Sequence, residues 1–128
     1  MSQRSAAGEI DELIDSALKA SDPPLLSHEF SVSSVDELKE MGDTIRMKMP
    51  GGAALLGAAI EDKAMLVCVV GDKAMSERKW KAGTIVKELS KKIGGGGGGR
   101  PHMATAGIKD LSKLSEALEI FTEVVKSL

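Results

Sequence analysis

The stretch AALLGAAIEDKAMLVCVV, residues 53–70 of this 128-residue chain, contains two apolar runs. The runs cover residues 53–60 and 64–70, and the polar triplet Glu61-Asp62-Lys63 separates them. Short apolar runs that are bounded by turn-forming residues are typical of β-strands. We therefore predict a β-hairpin over this stretch, which supplies two neighbouring strands of a sheet.

The residues before the hairpin predict a strand and two helices. Residues 25–32 are short and partly alternating in polarity, as a strand should be. Ser34-Val35-Asp36-Glu37 matches a capping box, and the helix that it starts keeps one face apolar. An amphipathic helix opens the chain and ends at Asp22-Pro23-Pro24, because proline cannot donate to a helix ladder. We predict a separate N-terminal helix and linker over residues 1–22 and a globular domain over residues 23–128.

The residues after the hairpin predict a helix, a strand and a last helix. Apolar residues recur at helical spacing over residues 81–93, which places Lys87 and Lys91 on the opposite, outward face. Residues 102–108, HMATAGI, are short enough for a strand, and Asp110 is a candidate cap for the last helix. The predicted core face of that helix consists of Leu111, Leu114, Leu118, Phe121, Val125 and Leu128.

The order of these elements predicts the fold class. Without the opening helix the order is βαββαβα, which favours an α/β (α+β) fold with a small mixed β-sheet of about four strands packed against helices. At 128 residues and 42% hydrophobic content, the chain is about one domain long.

Composition argues against membrane and metal functions. No segment approaches the roughly 18 unbroken apolar residues of a membrane span, and the N-terminus lacks the pattern of a secretory signal. We therefore expect a soluble, cytoplasmic protein. Cys68 lies inside the second apolar run, where a buried, inert thiol is expected. One cysteine with two distant histidines, His28 and His102, cannot furnish an ordinary structural zinc site.

Charge is distributed unevenly along the chain, although the net charge is only −2. Residues 1–43 carry three basic and ten acidic side chains, whereas residues 72–100 carry eight basic and three acidic ones. A polyanion would be drawn to the basic block, and the alternative from charge alone is a solvated, lysine-rich helix face. Trp80 lies within this block, in the helix or the loop before it, and we expect it to be a partly buried anchor.

Six consecutive glycines, residues 94–99, follow the basic helix and precede Arg100-Pro101. Composition alone indicates a flexible linker, but the run lies between a predicted helix and strand of the same small domain. Glycines can expose successive N–H groups to phosphate or ribose oxygens, and Arg100 adds a planar, bidentate donor. We therefore expect a loop that faces phosphate. It is neither a Walker A loop nor a dinucleotide-binding loop, because a helix precedes it and Arg-Pro follows.

The stretch KAGTIVKELSKKIGGGGGGRPHMATAG, residues 81–107, closely resembles the DHHA1 domain that closes bacterial alanyl-tRNA synthetases. The family pattern is an Ala-Gly-x-hydrophobic-Val helix, a glycine-rich loop and Arg-Pro-x-Met/Phe-Ala. The resemblance extends over roughly residues 25–128. Gly96 stands where many relatives carry lysine, and His102 and Thr105 stand where relatives more often carry acidic or amide residues. The positions that match are Ala82-Gly83, Ile85-Val86, the glycines, Arg100-Pro101 and Met103-Ala104.

The resemblance implies a non-catalytic piece of a larger ligase. Its ATP- and magnesium-dependent aminoacylation site and its zinc-containing editing site would lie in upstream domains. The domain itself would hold the elbow of tRNA(Ala), and a homodimer through residues 5–20 is also implied. With few aromatic residues, recognition by shape, phosphate and ribose is favoured over base stacking. The candidate RNA-binding residues are Gly97, Gly98, Gly99, Arg100, His102, Lys87, Lys91 and Lys92.

Two other functions stay open. The same domain type resembles the substrate-binding lobe of DHH phosphoesterases, although those relatives usually show Gly-Gly-Gly-His with no intervening Arg-Pro. In the other alternative, the first and last helices mainly pair two chains, and the basic face is only solvated.

Overall fold

The computed structural model describes residues 6–20 and 24–127 of the chain. Within those residues it has five helices and five strands. In chain order they are α1 (Ala6–Ala20), β1 (Leu25–Glu29), α2 (Val35–Lys48), β2 (Ala53–Ile60), β3 (Lys63–Val70), α3 (Asp72–Glu77), α4 (Ala82–Ile93), β4 (Gly96–Gly99), β5 (Met103–Ile108) and α5 (Lys113–Lys126).

The five strands form one mixed sheet in the order β1-β2-β3-β5-β4. Strands β2 and β3 are the predicted hairpin, with Ala53 opposite Val70 and Ile60 opposite Lys63. Strand β1 runs parallel to β2, and α2 makes the crossover between them. Strand β5 is antiparallel to both of its neighbours, β3 and β4. The predicted mixed sheet with helices against it is therefore confirmed.

The central hairpin is buried on both faces of the sheet, which explains its continuous apolar sequence. Leu66, Cys68 and Val70 of β3 belong to one core, which α4 and α5 cover. Val67 and Val69 belong to the other core, which α1 and α2 cover. Because successive side chains of a strand alternate between faces, a strand that is apolar at every position needs a helix layer on each side. The domain accordingly has three layers.

Helix α2 begins as its capping box predicts. The Ser34 hydroxyl oxygen accepts a hydrogen bond of 3.3 Å from the backbone N–H of Glu37. The Ser33 hydroxyl donates to the Glu37 carboxylate at 2.8 Å, which fixes the same turn. The first of these bonds satisfies a backbone N–H that the first turn of a helix otherwise leaves without a partner.

Helix α1 precedes the sheet, as predicted, and its apolar side packs against the rest of the domain. Ile10, Ile14 and Ala17 are buried in the core that α2 also covers. An ion pair between Lys48 and Asp11 joins α2 to α1. Most of the apolar side of α1 is therefore covered by its own chain, and Leu18 stays exposed. The predicted boundary between residues 22 and 23 lies outside the described residues, as do residues 1–5 and Leu128.

The sheet has one strand more than predicted, because four glycines that were expected in a loop form β4. The short helix α3 was also not predicted. Leu111, expected in the core face of the last helix, is 42% exposed because α5 begins only at Lys113. Asp110 is not the cap of α5: its carboxylate accepts hydrogen bonds from the N–H and the hydroxyl of Ser112, at 3.0 and 2.6 Å. These hydrogen bonds lower the pKa of Asp110 and hold a turn ahead of the helix.

Candidate nucleic-acid interface

The glycine run forms a tight turn and then the last strand at one edge of the sheet. Gly94 and Gly95 have φ angles of +85° and +96°, which favour glycine, and they reverse the chain after α4. Strand β4 then pairs with β5 on one side only, with Gly97 opposite Ala106 and Gly99 opposite Ala104. All four residues of β4 are exposed. The expectation of a loop is therefore wrong at these positions, and the candidate surface is an ordered strand.

Close packing against β5 explains why part of this strand must be glycine. A Cβ atom added at Gly97 would lie 2.2 Å from the carbonyl oxygen of Thr105, far inside contact distance. A Cβ atom added at Gly96 or Gly98 would meet nothing within 4 Å. Alternate residues of β4 therefore differ: Gly97 fits only as glycine, and its neighbours have room for a side chain.

A two-residue turn joins β4 to β5 and decides which backbone groups face outward. Arg100 and Met103 exchange two backbone hydrogen bonds, of 2.9 and 3.3 Å, around Pro101 and His102. Hydrogen-bonded and non-bonded pairs alternate along an antiparallel hairpin. Since Arg100 and Met103 are a bonded pair, Gly97 and Gly99 direct their N–H and C=O groups away from β5, and at Gly99 this side faces Gly83 of α4.

The first residues of α4 form a shallow groove with β4. A Cβ atom added at Gly83 would lie 3.1 Å from the carbonyl oxygen of Gly99, so helix and strand approach closely at this point. The backbone N–H of Ala82 donates to the carbonyl oxygen of Pro101 at 2.7 Å, which fixes the start of α4 against the turn. The residues that line the groove are Lys81, Gly83, Thr84, Lys87, Gly97, Gly98, Gly99 and Pro101.

The structure brings together some of the predicted site residues and separates others. Lys87 lies in the groove with the three predicted glycines. Arg100 and His102 lie in the adjoining turn, where Arg100 is exposed and His102 is half-buried. Lys91 and Lys92 lie in the last turn of α4, outside the groove, and Lys91 forms a 3.2 Å ion pair with Glu88.

Sequence reasoning missed Lys81, Thr84 and Pro101 as groove residues and treated Gly83 only as part of a family pattern. The available signal for a close approach at Gly83 was its small size in the first turn of α4. Gly83 also lies four positions before Lys87, and therefore on the same outward face. The other three residues reach the groove because the chain folds back at residues 94–95, which spacing along the sequence does not show.

The two sides of the sheet differ in how the charged side chains of the described residues are paired. Lys81, Lys87, Lys92 and Arg100 are exposed and form no ion pair within residues 6–20 and 24–127. On the opposite face, Asp11 and Asp43 are partnered with cations of α2. The uneven charge of the sequence thus becomes a cationic surface at the α4–β4 side, with unpaired donors directed to solvent.

The cysteine thiol lies in the core and not at this surface. Cys68 is fully buried, as predicted, and burial raises the pKa of its thiol, so it is held in the unreactive neutral form. In the part of the chain that the structure describes, no three His, Cys, Asp or Glu side chains are grouped so that they could hold a metal ion. None of the described helices is both long and apolar enough to cross a membrane.

A family model for the DHHA1 domain matches residues 25–127. The chain belongs to the DHHA1 domain family. An alanine–tRNA ligase from Desulfitobacterium hafniense (strain Y51) is 40% identical to this DHHA1 chain over 122 residues. The matched region is 95% of the present chain but only 14% of that ligase. The chain thus spans about one-seventh of the length of this relative.

Two solved structures share the DHHA1 fold. The crystal structure of the C-Ala domain from Aquifex aeolicus alanyl-tRNA synthetase matches with a TM-score of 0.68 and 28% identity, over 78% of this chain and 88% of that one. The DHH domain of a member of the s1p family of ribosomal proteins matches with a TM-score of 0.58 and 20% identity, over 95% of this chain and 31% of that one. The second likeness shows the fold alone.

Proposed function

We propose that this DHHA1 domain is the C-terminal tRNA-binding part of an alanine–tRNA ligase, and that it holds the elbow of tRNA(Ala) during aminoacylation and editing. The similarity to curated alanine–tRNA ligases supports the parent protein, and the likeness to the C-Ala domain supports the position within it. On this proposal the catalytic sites, with their ATP, magnesium and zinc, belong to upstream domains of a cytoplasmic enzyme. The domain itself contributes binding and no catalytic residue.

The observation that carries the proposal is an exposed, all-glycine edge strand beside unpaired cations. Edge strands are usually protected by charged side chains, prolines or bulges, because their free backbone groups invite pairing. Strand β4 has no side chain that could shield it, and the N–H group of Gly97 points away from β5, while Gly83 of α4 approaches the backbone of Gly99. Lys87 lies in the same groove and Arg100 in the adjoining turn. Such a surface admits phosphate or ribose oxygens directly onto the backbone.

The aromatic residues favour a folded RNA over a single strand. Phe30 and Phe121 are buried, and Trp80 is 8% exposed. Unspecific single-strand binding usually needs exposed aromatic rings on which bases stack. None of these three side chains lines the groove beside β4. Recognition by shape, phosphate and the ribose hydroxyl is the mode that fits a folded RNA.

Pairing of two chains through residues 5–20 is a weaker proposal. The apolar stripe that would mediate it is already buried against the domain at Ile10, Ile14 and Ala17. A dimer would have to use the exposed side of α1, which carries Asp11, Asp15 and Lys19 beside Leu18, whose exposed fraction is 53%. Sedimentation of the 128-residue chain over a range of protein concentrations tests this role separately from RNA binding.

The experiment compares binding of the 128-residue chain to tRNA(Ala), to an unrelated tRNA and to a single strand of equal length, over a salt series. We expect preference for folded tRNA and a loss of affinity as salt rises. Arg100→Ala should weaken tRNA binding by about tenfold, because a charged hydrogen bond contributes on the order of 1–2 kcal/mol. Lys39→Ala, on α2 at the other face, is the matched control and should bind as the unaltered chain does.

Equal, weak binding to all three nucleic acids would contradict the proposed function. Unchanged affinity of Arg100→Ala, with preference for tRNA intact, would contradict only the role of Arg100. Hydrolysis of a dinucleotide in the presence of manganese would instead favour the phosphoesterase alternative.

A further inference from the structure

The segment between α3 and α4, Arg78-Lys79-Trp80-Lys81, is a second concentration of positive charge, which we name the α3–α4 loop. Its three cationic side chains are exposed. None of them forms an ion pair within residues 6–20 and 24–127. The nearby Asp72 is engaged by Arg46 at 3.4 Å, and Glu88 is engaged by Lys91. Glu77, directly before the loop, is exposed and forms no ion pair with it within the described residues, so three cations face one free carboxylate and the loop keeps an excess of positive charge.

Trp80 anchors the loop and orients one of its cations. The indole is 8% exposed and belongs to the core under α4. The guanidinium carbon of Arg78 lies 5.5 Å from the centroid of the Trp80 ring. A guanidinium that rests on an aromatic ring uses its face for this contact and keeps its in-plane N–H donors free. Arg78 is thus within cation–π distance of Trp80, and because it is exposed and forms no ion pair within the described residues, its guanidinium donors are available to an anion.

Lys79 occupies a backbone conformation that its residue type disfavours. Its φ angle is +62°, in the left-handed region where glycine and asparagine are better tolerated than lysine. A neutral glycine or asparagine would fit the turn with less strain and would add no repulsion between Arg78 and Lys81. Residues in this region cluster at functional sites, and they also occur in tight turns, as Glu61 and Asp62 do between β2 and β3.

The α3–α4 loop is continuous with the groove beside β4. Lys81, its last residue, lines that groove together with Lys87. The hydrogen bond from the Ala82 N–H to the Pro101 carbonyl oxygen ties the end of the loop to the turn that carries Arg100. A single ligand on the groove would therefore reach the loop without leaving the surface.

We propose that the α3–α4 loop is a second contact for the sugar-phosphate backbone of the same RNA that binds along β4. This inference rests on the proposed function and extends it to residues that β4 and its turn do not include. Arg78 donates two N–H groups to one phosphate, and Lys79 and Lys81 neutralise neighbouring phosphates. The RNA then contacts the domain on two segments of its backbone, which fixes its orientation as well as its position.

The test is the triple variant Arg78→Gln, Lys79→Asn and Lys81→Gln, measured with the same tRNA and salt series. Glutamine keeps length without charge, and asparagine tolerates the left-handed conformation at position 79. The matched control removes three cations elsewhere that form no ion pair, through Lys39→Gln, Lys63→Gln and Lys126→Gln. Thermal unfolding of both variants checks that the fold is kept.

We expect the loop variant to lose at least tenfold in tRNA affinity at low salt. The salt slope, by which we mean the slope of the logarithm of the binding constant against the logarithm of salt concentration, should become shallower by about one unit for each phosphate contact removed. The control variant should keep nearly the full slope. Arg78→Lys alone, which keeps the charge but loses the planar fork, should weaken binding severalfold with the slope unchanged.

The two proposals fail in different ways. If the unaltered chain shows no preference for folded tRNA, the proposed function fails and this inference fails with it. If the unaltered chain prefers tRNA but the loop variant keeps its affinity and slope, or loses no more than the control, only this inference is overturned.

Discussion

The two hairpins of this domain, β2–β3 and β4–β5, are made in opposite ways. Strands β2 and β3 are apolar at nearly every position and are buried on both faces. Strand β4 has no side chains, is exposed along its whole length and is paired on one side only. It is placed by the turn at residues 100–103 and by the close approach of α4 at Gly83.

The contrast shows that two different physical effects can determine where a strand forms: burial of apolar surface and close approach of the backbone. Burial of apolar surface drives β2–β3, at about 25 cal/mol per Å² removed from water. In β4 the absence of side chains permits a backbone approach that any other residue would block at Gly97. The first kind of strand provides stability, and the second leaves backbone groups available to a ligand. Separate substitutions in the two hairpins should therefore affect separate properties.

The largest expected effect is on the stability of the buried hairpin. Leu66 is 1% exposed and packs in the core beneath α5. Leu66→Ala should lower the free energy of unfolding by about 2–5 kcal/mol, because it removes buried methyl groups and leaves a cavity. Denaturant unfolding measures the change. A loss below about 1 kcal/mol would mean that this face of the sheet is not the close-packed core that we describe.

A smaller effect on stability is expected at the exposed strand, and it should depend on register. Gly97→Ala should cost about 1–3 kcal/mol of unfolding free energy, because its Cβ would lie 2.2 Å from the Thr105 carbonyl oxygen. Gly98→Ala is the matched control and should be neutral or stabilising by up to about 1 kcal/mol, because the Cβ has open space and the unfolded chain loses entropy. Equal effects at both positions would contradict the register of β4 on β5.

The smallest expected effect is a gain in RNA affinity at Gly96. A side chain there would extend into open space, as one at Gly98 would, and stability should change by no more than it does for Gly98→Ala. Gly96→Lys should raise tRNA affinity by about threefold at low salt, since it adds one cation beside the backbone contact. Gly96→Gln is the uncharged control. Equal affinities of the two variants would argue that no phosphate passes this end of β4.

The sequence predicted those parts of the fold that depend on local pattern. The hairpin, the capping box at Ser34 and the outward lysines of α4 follow from periodicity and hydrogen-bonding capacity within a few residues. Strand β4 could not be predicted in this way, because glycine has low strand propensity and its pairing depends on β5. Leu111 was misplaced because the carboxylate of Asp110 holds Ser112 in a turn and delays the helix.

The candidate site was predictable in composition but not in arrangement. The sequence named the glycines, Lys87 and Arg100 as candidate residues. The glycines and Lys87 meet in the groove, and Arg100 lies beside the groove in the turn. Lys91 and Lys92 share the charge of the basic block but lie at the far end of α4. Lys81 reaches the groove through tertiary packing, which charge counting along the chain does not reveal.

The most direct test of the central claim, that the exposed backbone of β4 contacts the RNA, is an NMR titration of the backbone amides with tRNA(Ala). We predict that the signals of Gly97, Gly99 and Arg100 shift or broaden first, while those of α1 on the opposite face stay in place. Unchanged signals in β4, together with shifts elsewhere in the domain, would contradict the claim and move the RNA to another surface.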